Sequence, residues 1–266
     1  MPRVGRSQAE QARVDAAGPD FLEALARGLR VITAFNRERK QLTISDLARL
    51  VELPRASVRR ILATLVELGY AEADDRLFRL SPRILTLAAA YLGSNGMSDT
   101  LQPAIERLCA DVDEACSAAV LDGDDVVMIA HAAPRRVINV SAQIGFRLPA
   151  VASSLGRVLL AGLDDAALDA FLARVQPAKH TPTTVVGKKE LRRAILKTRT
   201  DGFSLVDQEA EIGFHSISVP LRRLDGRVAA ALNVGVRSER CALATMRGVF
   251  LPKLLVLADG LQRQLV

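Results

Sequence analysis

Residues Leu42–Leu80 read LTISDLARLVELPRASVRRILATLVELGYAEADDRLFRL, and this stretch decides the fold of the first part of the chain. Its spacing predicts a helix, a tight turn, a second helix and a short two-stranded ribbon. Thr43 is placed to cap the first helix, and Asp46 favours the positive end of its dipole. Ile44, Leu47, Ala48 and Val51 share one face. Pro54 opens the second helix, where a missing N–H is harmless. Val58, Ile61, Leu62, Leu65 and Leu68 form the apolar stripe of that helix. Gly69 stops it as a C′ residue would. Tyr70–Ala73 and Leu77–Leu80 are strand-like runs, joined through Asp74-Asp75-Arg76.

That order is the pattern of a winged helix-turn-helix, whose second helix enters the major groove of double-stranded DNA by its N-terminal end. Opposite the stripe lie Arg55, Ser57, Arg59, Arg60 and Thr64, and no acid stands between Pro54 and Glu67. Arginines so placed suit phosphates and guanine edges. The candidate DNA contacts are therefore Thr43, Arg55, Ala56, Ser57, Arg59, Arg60 and Thr64, with Arg76 and Arg79 on the wing for flanking phosphate. The plainer alternative is two packed amphipathic helices with a solvated basic face. The wing, the proline turn and the arginine placement together favour DNA.

Composition agrees. The chain has 266 residues, 49% of them hydrophobic, with a net charge of +6. Residues 1–80 hold 14 Lys and Arg against 11 Asp and Glu, so half the excess charge sits in under a third of the chain. There is no tryptophan and there are two tyrosines, which disfavours stacking platforms for single strands. Cys109, Cys116 and Cys241 form neither a disulfide framework nor a zinc spacing, and point to the cytoplasm. No apolar run reaches membrane-spanning length, and the start lacks a signal core.

Working outward, residues 1–20 are expected to be a mobile arm and 21–80 the DNA-binding domain. Asp20 can cap a helix over Phe21–Phe35, with Phe21 or Leu22, Leu25, Leu29, Ile32 and Phe35 on its buried side. Ser81-Pro82 starts a linker helix ending at Gly93, and 94–96 is the hinge that closes an 81–96 connection. The face of that helix, Ile84, Leu85, Leu87, Ala88, Tyr91 and Leu92, is apolar beyond what one packing partner needs. Either it docks on its own domain or it also pairs with a second subunit. Because palindromic DNA sites are read by two-fold dimers, the second reading is favoured.

From 97 to 266 helices alternate with hairpin signals. A helix over Leu101–Val112 precedes strands at Cys116–Leu121 and Val126–His131, with a further strand at Arg136–Ala142. Short helices follow at Ser154–Leu163 and Ala166–Val175, then Lys188–Asp201. Strands at Phe203–Asp207, Ser216–Arg222 and Arg227–Val236 lead to a last helix, Glu239–Leu265, interrupted at Pro252. The mixture predicts an α+β chain whose second domain has a curved antiparallel sheet.

Two places suit a ligand. Ala152, Ser153, Ser154, Leu155 and Gly156 enter a helix whose free N–H groups favour a carboxylate, although Ser153 can simply be its cap. Asp207, Glu209 and Glu211 at a strand end lead to Phe214, Ser216 and Ser218; the acids alone suit a solvated loop equally well. Asn233 is a polar residue within an apolar strand and needs a partner if buried. Catalytic patterns are missing: the histidines lack metal spacing, the Ser-Ser-Leu-Gly-Arg run lacks the first glycine of a nucleophile elbow, and a Cys116/His131 pair competes with a plain buried cysteine. Neither metal nor cofactor is expected.

LTISDLARLVELPRASVRRILATLVELGYAE with the following LSPRILTL, then VLDGDDVV, IGFRLPAVASSLGRVLLA, GFSLVDQEAEIGFHSISVPLR and DGRVAAALNV, resemble in order the IclR family of bacterial transcription regulators. HTPTTV and LVDQEAEIG resemble most the regulators of the β-ketoadipate pathway, which respond to protocatechuate, 4-hydroxybenzoate or β-ketoadipate. The resemblance implies a GAF-like effector domain and homodimers that can pair into tetramers. It also implies control by a small organic acid held near Ala152–Gly156, Asp207–Ser218 and Asn233. The sequence departs from the commoner family form at Ser153-Ser154, where Thr-Ala is usual, at Arg157, where Lys is usual, and at Phe214-His215-Ser216. A bulky Phe214 narrows or reshapes such a pocket. The rival readings are an enzyme acting on a small acid with an appended helical module, and a winged helix used for protein contacts.

Overall fold

The computed structural model describes residues 18–36, 38–134 and 143–264. The arm up to residue 17, the strand expected over 136–142 and the last residues of the final helix lie outside the described residues. The chain divides into two compact units between Tyr91 and Leu92.

In the first unit, helix α1 (Glu23–Thr33) is followed by β1 (Leu42–Thr43), α2 (Ile44–Leu50), α3 (Arg55–Glu67), β2 (Ala71–Asp74) and β3 (Leu77–Leu80). Thr43 caps α2 in a full capping box: its Oγ1 accepts from the Asp46 N–H at 3.1 Å, and the Asp46 carboxylate accepts from the Thr43 N–H at 3.3 Å. Glu52 takes a left-handed conformation in the turn, with φ 51°. The Arg30 guanidinium donates to the Val51 carbonyl and ties α1 to that turn.

Helix α3 ends in a Schellman motif. Gly69, at φ 75°, donates to Val66, and Tyr70 donates to Leu65. The wing is a three-stranded sheet in the order β1-β3-β2, with Glu72 opposite Arg79 and Ala73 opposite Phe78. The core joins Val31, Leu47, Val58, Leu62 and Leu65. Two expected core positions differ. Leu68 is exposed because the chain has already begun to turn, and Ile61 is only half-buried at the edge of the stripe.

Helix α1 departs further from expectation. Leu22 precedes it without a side-chain cap, so Asp20 does not serve. Of its expected buried line, Phe21, Leu22, Leu25 and Leu29 are exposed, the last three by half or more. Ile32 and Phe35 do pack on the core, and Val31, outside the expected line, is buried in it. Ser81 caps the next turn by accepting from the Arg83 N–H at 3.2 Å, and α4 (Leu85–Asn95) carries the chain across the division. Helix α4 continues past Gly93 rather than ending there. Gly96, at φ 56°, is the single break before α5 (Met97–Val112), which starts earlier than the expected Leu101.

The second unit is a six-stranded antiparallel sheet in the order β6-β5-β4-β9-β8-β7. Its strands are β4 (Ala115–Asp122), β5 (Asp125–Ala132), β6 (Arg147–Pro149), β7 (Ser204–Asp207), β8 (Phe214–Arg222) and β9 (Val228–Arg237). One face packs on α5 and the C-terminal helix through Leu101, Ile105, Ile217, Leu232, Phe250 and Leu254. The other packs on α6 (Ser154–Ala161), α7 (Asp165–Arg174) and α8 (Lys188–Asp201) through Met128, Leu155, Val158, Phe171 and Ile195.

The C-terminal helix starts at α9 (Leu243–Thr245), not at Glu239, and resumes as α10 (Leu251–Gln262). Between them Met246–Phe250 widens to a π turn. The irregularity thus falls before Pro252 rather than at it. A helical proline lacks the N–H of the regular ladder and clashes with the carbonyl four residues back, which the wider turn avoids.

Candidate DNA-binding surface and effector site

Helix α3 presents its N-terminal end outward. Arg55, Ala56, Arg59 and Arg60 are exposed, Ser57 is half-buried, and Pro54 offers no side-chain cap. Arg55, Arg59, Arg60 and Arg76 have no ion-pair partner among the described residues. Unpaired cations beside uncapped helical N–H groups attract phosphate. Other candidates are committed elsewhere. The Thr43 hydroxyl donates to Asp46 at 2.7 Å, Thr64 donates to the Arg60 carbonyl at 3.0 Å, and Arg79 pairs with Glu72 at 2.6 Å. Arg83 was not singled out from sequence. It donates to the Leu68 carbonyl at 3.0 Å and lies over the Tyr70 ring, holding the end of α3.

In the second unit the two segments proposed for a ligand meet. The Ser154 hydroxyl donates to Ser216 Oγ at 2.8 Å and lies 2.8 Å from Ser218 Oγ. Asn233 donates through Nδ2 to Ser154 Oγ at 3.1 Å, Ser218 Oγ at 2.9 Å and the Ile217 carbonyl at 3.0 Å. All four side chains are buried. The sheet register explains the gathering: Ser218 pairs with Asn233, Asn233 with Ser117, and Ser117 with His131. Paired residues of an antiparallel sheet point to one face, so these four form a polar row beneath α6.

Ser117 and His131 extend the row and were not read as site residues. Ser117 Oγ lies 2.9 Å from His131 Nδ1, and burial holds the imidazole pKa below its ordinary value. Gln102 clamps the His131 backbone, accepting from its N–H and donating to its carbonyl, both at 3.0 Å. Cys116 takes the opposite face, so no Cys116/His131 pair forms.

The other candidates divide. Ser153 is the cap of α6, accepting from the Gly156 N–H at 3.0 Å. Gly156 packs so closely on the Ala150 backbone that a Cβ would sit 2.1 Å from its carbonyl oxygen. Ala152 and Leu155 are buried around that helix start. Asp207 stands opposite His215 on the reverse face of the sheet, and the register does not bring it to the serine cluster. His215 Nδ1 lies 2.9 Å from Asp207 Oδ1 but is not aligned to donate, leaving a buried polar atom without a hydrogen bond among the described residues.

Glu209 makes a buried ion pair with Arg157 at 2.7 Å and also accepts from the Val185 N–H at 2.9 Å. Thr181 and Thr183 donate to the Gln208 carbonyl, and Thr184 donates to that of Glu209 at 2.6 Å. The HTPTTV and LVDQEAEIG runs are therefore one structure: the first binds the second, and Glu209 of the second ties it to Arg157 of α6. Among the described residues no group of three or more His, Cys, Asp or Glu is placed to hold a metal, and no helix is long and apolar enough to cross a membrane.

A winged helix-turn-helix joined to an α/β unit with a buried polar cluster is the build of a ligand-responsive transcription regulator. The comparisons with known proteins agree. The bacterial transcriptional regulator IclR C-terminal family matches residues 89–263, and the IclR helix-turn-helix domain matches 24–75. The chain belongs to the IclR family of transcriptional regulators. It is 40% identical to the Pca regulon regulatory protein of Pseudomonas putida, over 99% of this chain and 91% of that one. A transcriptional regulator from Rhodococcus sp. RHA1 is similar in structure, with a TM-score of 0.81 and 41% identity over 92% of this chain and 98% of that one. An IclR homolog from Microbacterium hydrocarbonoxydans, solved in complex with 4-hydroxybenzoate, has a TM-score of 0.74 and 28% identity over 91% of this chain and 98% of that one. The relatives are regulators, and the enzyme reading falls.

Proposed function

We propose that the chain acts in the cytoplasm as a homodimer that reads a palindromic operator and answers to a small aromatic acid. DNA reading is assigned to 21–80 and effector binding to 97–266. The observation that carries this reading is the buried cluster of Ser154, Ser216, Ser218 and Asn233, a polar site between an apolar sheet and helix. The carboxylate would sit at the start of α6, with Ser216, Ser218 and Asn233 holding the remaining polar groups. The relative that binds 4-hydroxybenzoate supports an aromatic acid. Binding shifts the regulator only insofar as the acid prefers one of two conformations.

Arg55, Arg59 and Arg60 grip the DNA. Leu22 just before α1, Leu25 and Leu29 on it, and Leu85, Leu87 and Tyr91 on α4 are large exposed apolar side chains, as a dimer face would be. Salt-dependent binding to the DNA upstream of the protein's own gene tests the grip. Arg59→Ala is expected to weaken binding and lower the salt slope by about 0.9, one phosphate contact. Arg79→Ala, whose guanidinium is already held by Glu72, should change the slope less. An unchanged slope in Arg59→Ala would remove that residue from the interface.

A further inference from the structure

Gly235 adjoins the buried serine cluster. It stands opposite Ser216 in the register, so its bare Cα adjoins the hydroxyl that accepts from Ser154. Phe214 is two residues before Ser216 and shares its face of β8. Its ring leans across onto the glycine: a Cβ added at Gly235 would fall 2.6 Å from Phe214 Cζ and 3.3 Å from Cε1. The same point is 3.4 Å from Asn233 Oδ1. Thus the ring takes the volume of the missing side chain and stops beside the amide of the polar cluster.

The amide is held in one orientation, because Nδ2 faces the Ile217 carbonyl. Oδ1 consequently faces the ring, and it accepts no hydrogen bond from a described residue although Asn233 is only 5% exposed. A nearly buried residue with an open acceptor marks a place for a ligand atom. The wall beside that place is Phe214, itself half-buried rather than locked in the core.

We propose that Phe214, seated on Gly235, is the specificity-determining residue of the effector site and limits it to short benzoates, whose carboxylate is joined directly to the ring. This rests on the effector reading given above. Phe214 and a side chain at Gly235 compete for one volume beside Asn233. Removing the ring frees that volume, and bulk at Gly235 takes it back.

The test is calorimetric titration of the full-length protein with 4-hydroxybenzoate, protocatechuate and the longer 4-hydroxycinnamate. The variants are F214A, F214L, G235A and F214A/G235A, each checked by thermal melting. The wild type is expected to bind a hydroxybenzoate and to take 4-hydroxycinnamate, which has two more carbons between the ring and the carboxylate, about tenfold or more weakly. F214A should narrow or reverse that ratio, with F214L between the two. G235A alone should weaken every acid, because its methyl displaces the ring, whereas the same methyl in the F214A background should bring back the wild-type preference. Folded F214A or F214L with the wild-type ratio would overturn the inference; if F214A does not fold, F214L decides. A wild type that binds none of the acids at about 1 mM would overturn the effector reading, and this inference with it.

Discussion

Ser218 and Asn233 face each other across β8 and β9, and the Asn233 amide donates to Ser218 Oγ at 2.9 Å while also reaching Ser154 and the Ile217 carbonyl. One NH2 group thereby organises the cluster. Asn233→Asp replaces it with an oxygen aimed at a carbonyl and places a negative charge where an acid is to bind. We expect a stability loss of about 1–3 kcal/mol and a loss of acid binding. Thermal melting and calorimetry check both. Undiminished affinity for the acid would show that Asn233 does not touch it.

Arg157 and Glu209 are both buried, and each has a second commitment: Arg157 donates to the Val151 carbonyl at 3.1 Å, and Glu209 accepts from Val185. Glu209→Ala strands a guanidinium and a backbone N–H. The expected cost is about 3–5 kcal/mol, with faster hydrogen exchange over 181–185 and 205–213. A loss below about 1 kcal/mol in denaturant unfolding would mean that water reaches the pair freely.

How much of this was legible in the sequence depended on the distance over which each signal acts. The Thr43 cap of α2, the Pro54 turn and the Gly69 stop span a few residues, and each stands where its spacing placed it. The apolar run of α1 was legible as a stripe, but periodicity does not say whether the chain itself covers Leu22, Leu25 and Leu29. The Arg157–Glu209 pair joins positions 52 residues apart, beyond any local pattern. Ser117 and His131 join the buried polar row only through the register with Asn233. Asp207 left it for the same reason: one residue along a strand reverses the face.

His131 makes stability depend on pH. Burial holds its pKa below the ordinary 6.5, so the unfolded chain binds the proton more readily than the folded one. Stability therefore falls as pH drops through about 6.5 and levels off below the folded-state value. His131→Gln should flatten that part of the profile. Denaturant unfolding between pH 5 and 8 would show it, and equal slopes for both proteins would exclude His131 as the cause.

Gly69 closes α3 at φ 75°, with Arg83 Nη1 3.0 Å from where a Cβ would lie. Gly69→Ala strains the backbone and pushes Arg83 from its bond to Leu68. A loss of about 1–2 kcal/mol is expected, with weaker DNA binding because the wing starts from this turn. A melting temperature equal to that of the wild type would show that the turn relaxes without strain.

One chain that couples DNA reading to an acid must change its hold on DNA when the acid binds. The decisive measurement is fluorescence anisotropy with labelled DNA from upstream of the protein's own gene, at two salt concentrations, with and without protocatechuate, 4-hydroxybenzoate and β-ketoadipate. Saturable binding is expected, tighter than to scrambled DNA and altered by one of the aromatic acids. Binding that does not distinguish the two DNAs at either salt, or that none of the acids changes, would contradict that coupling.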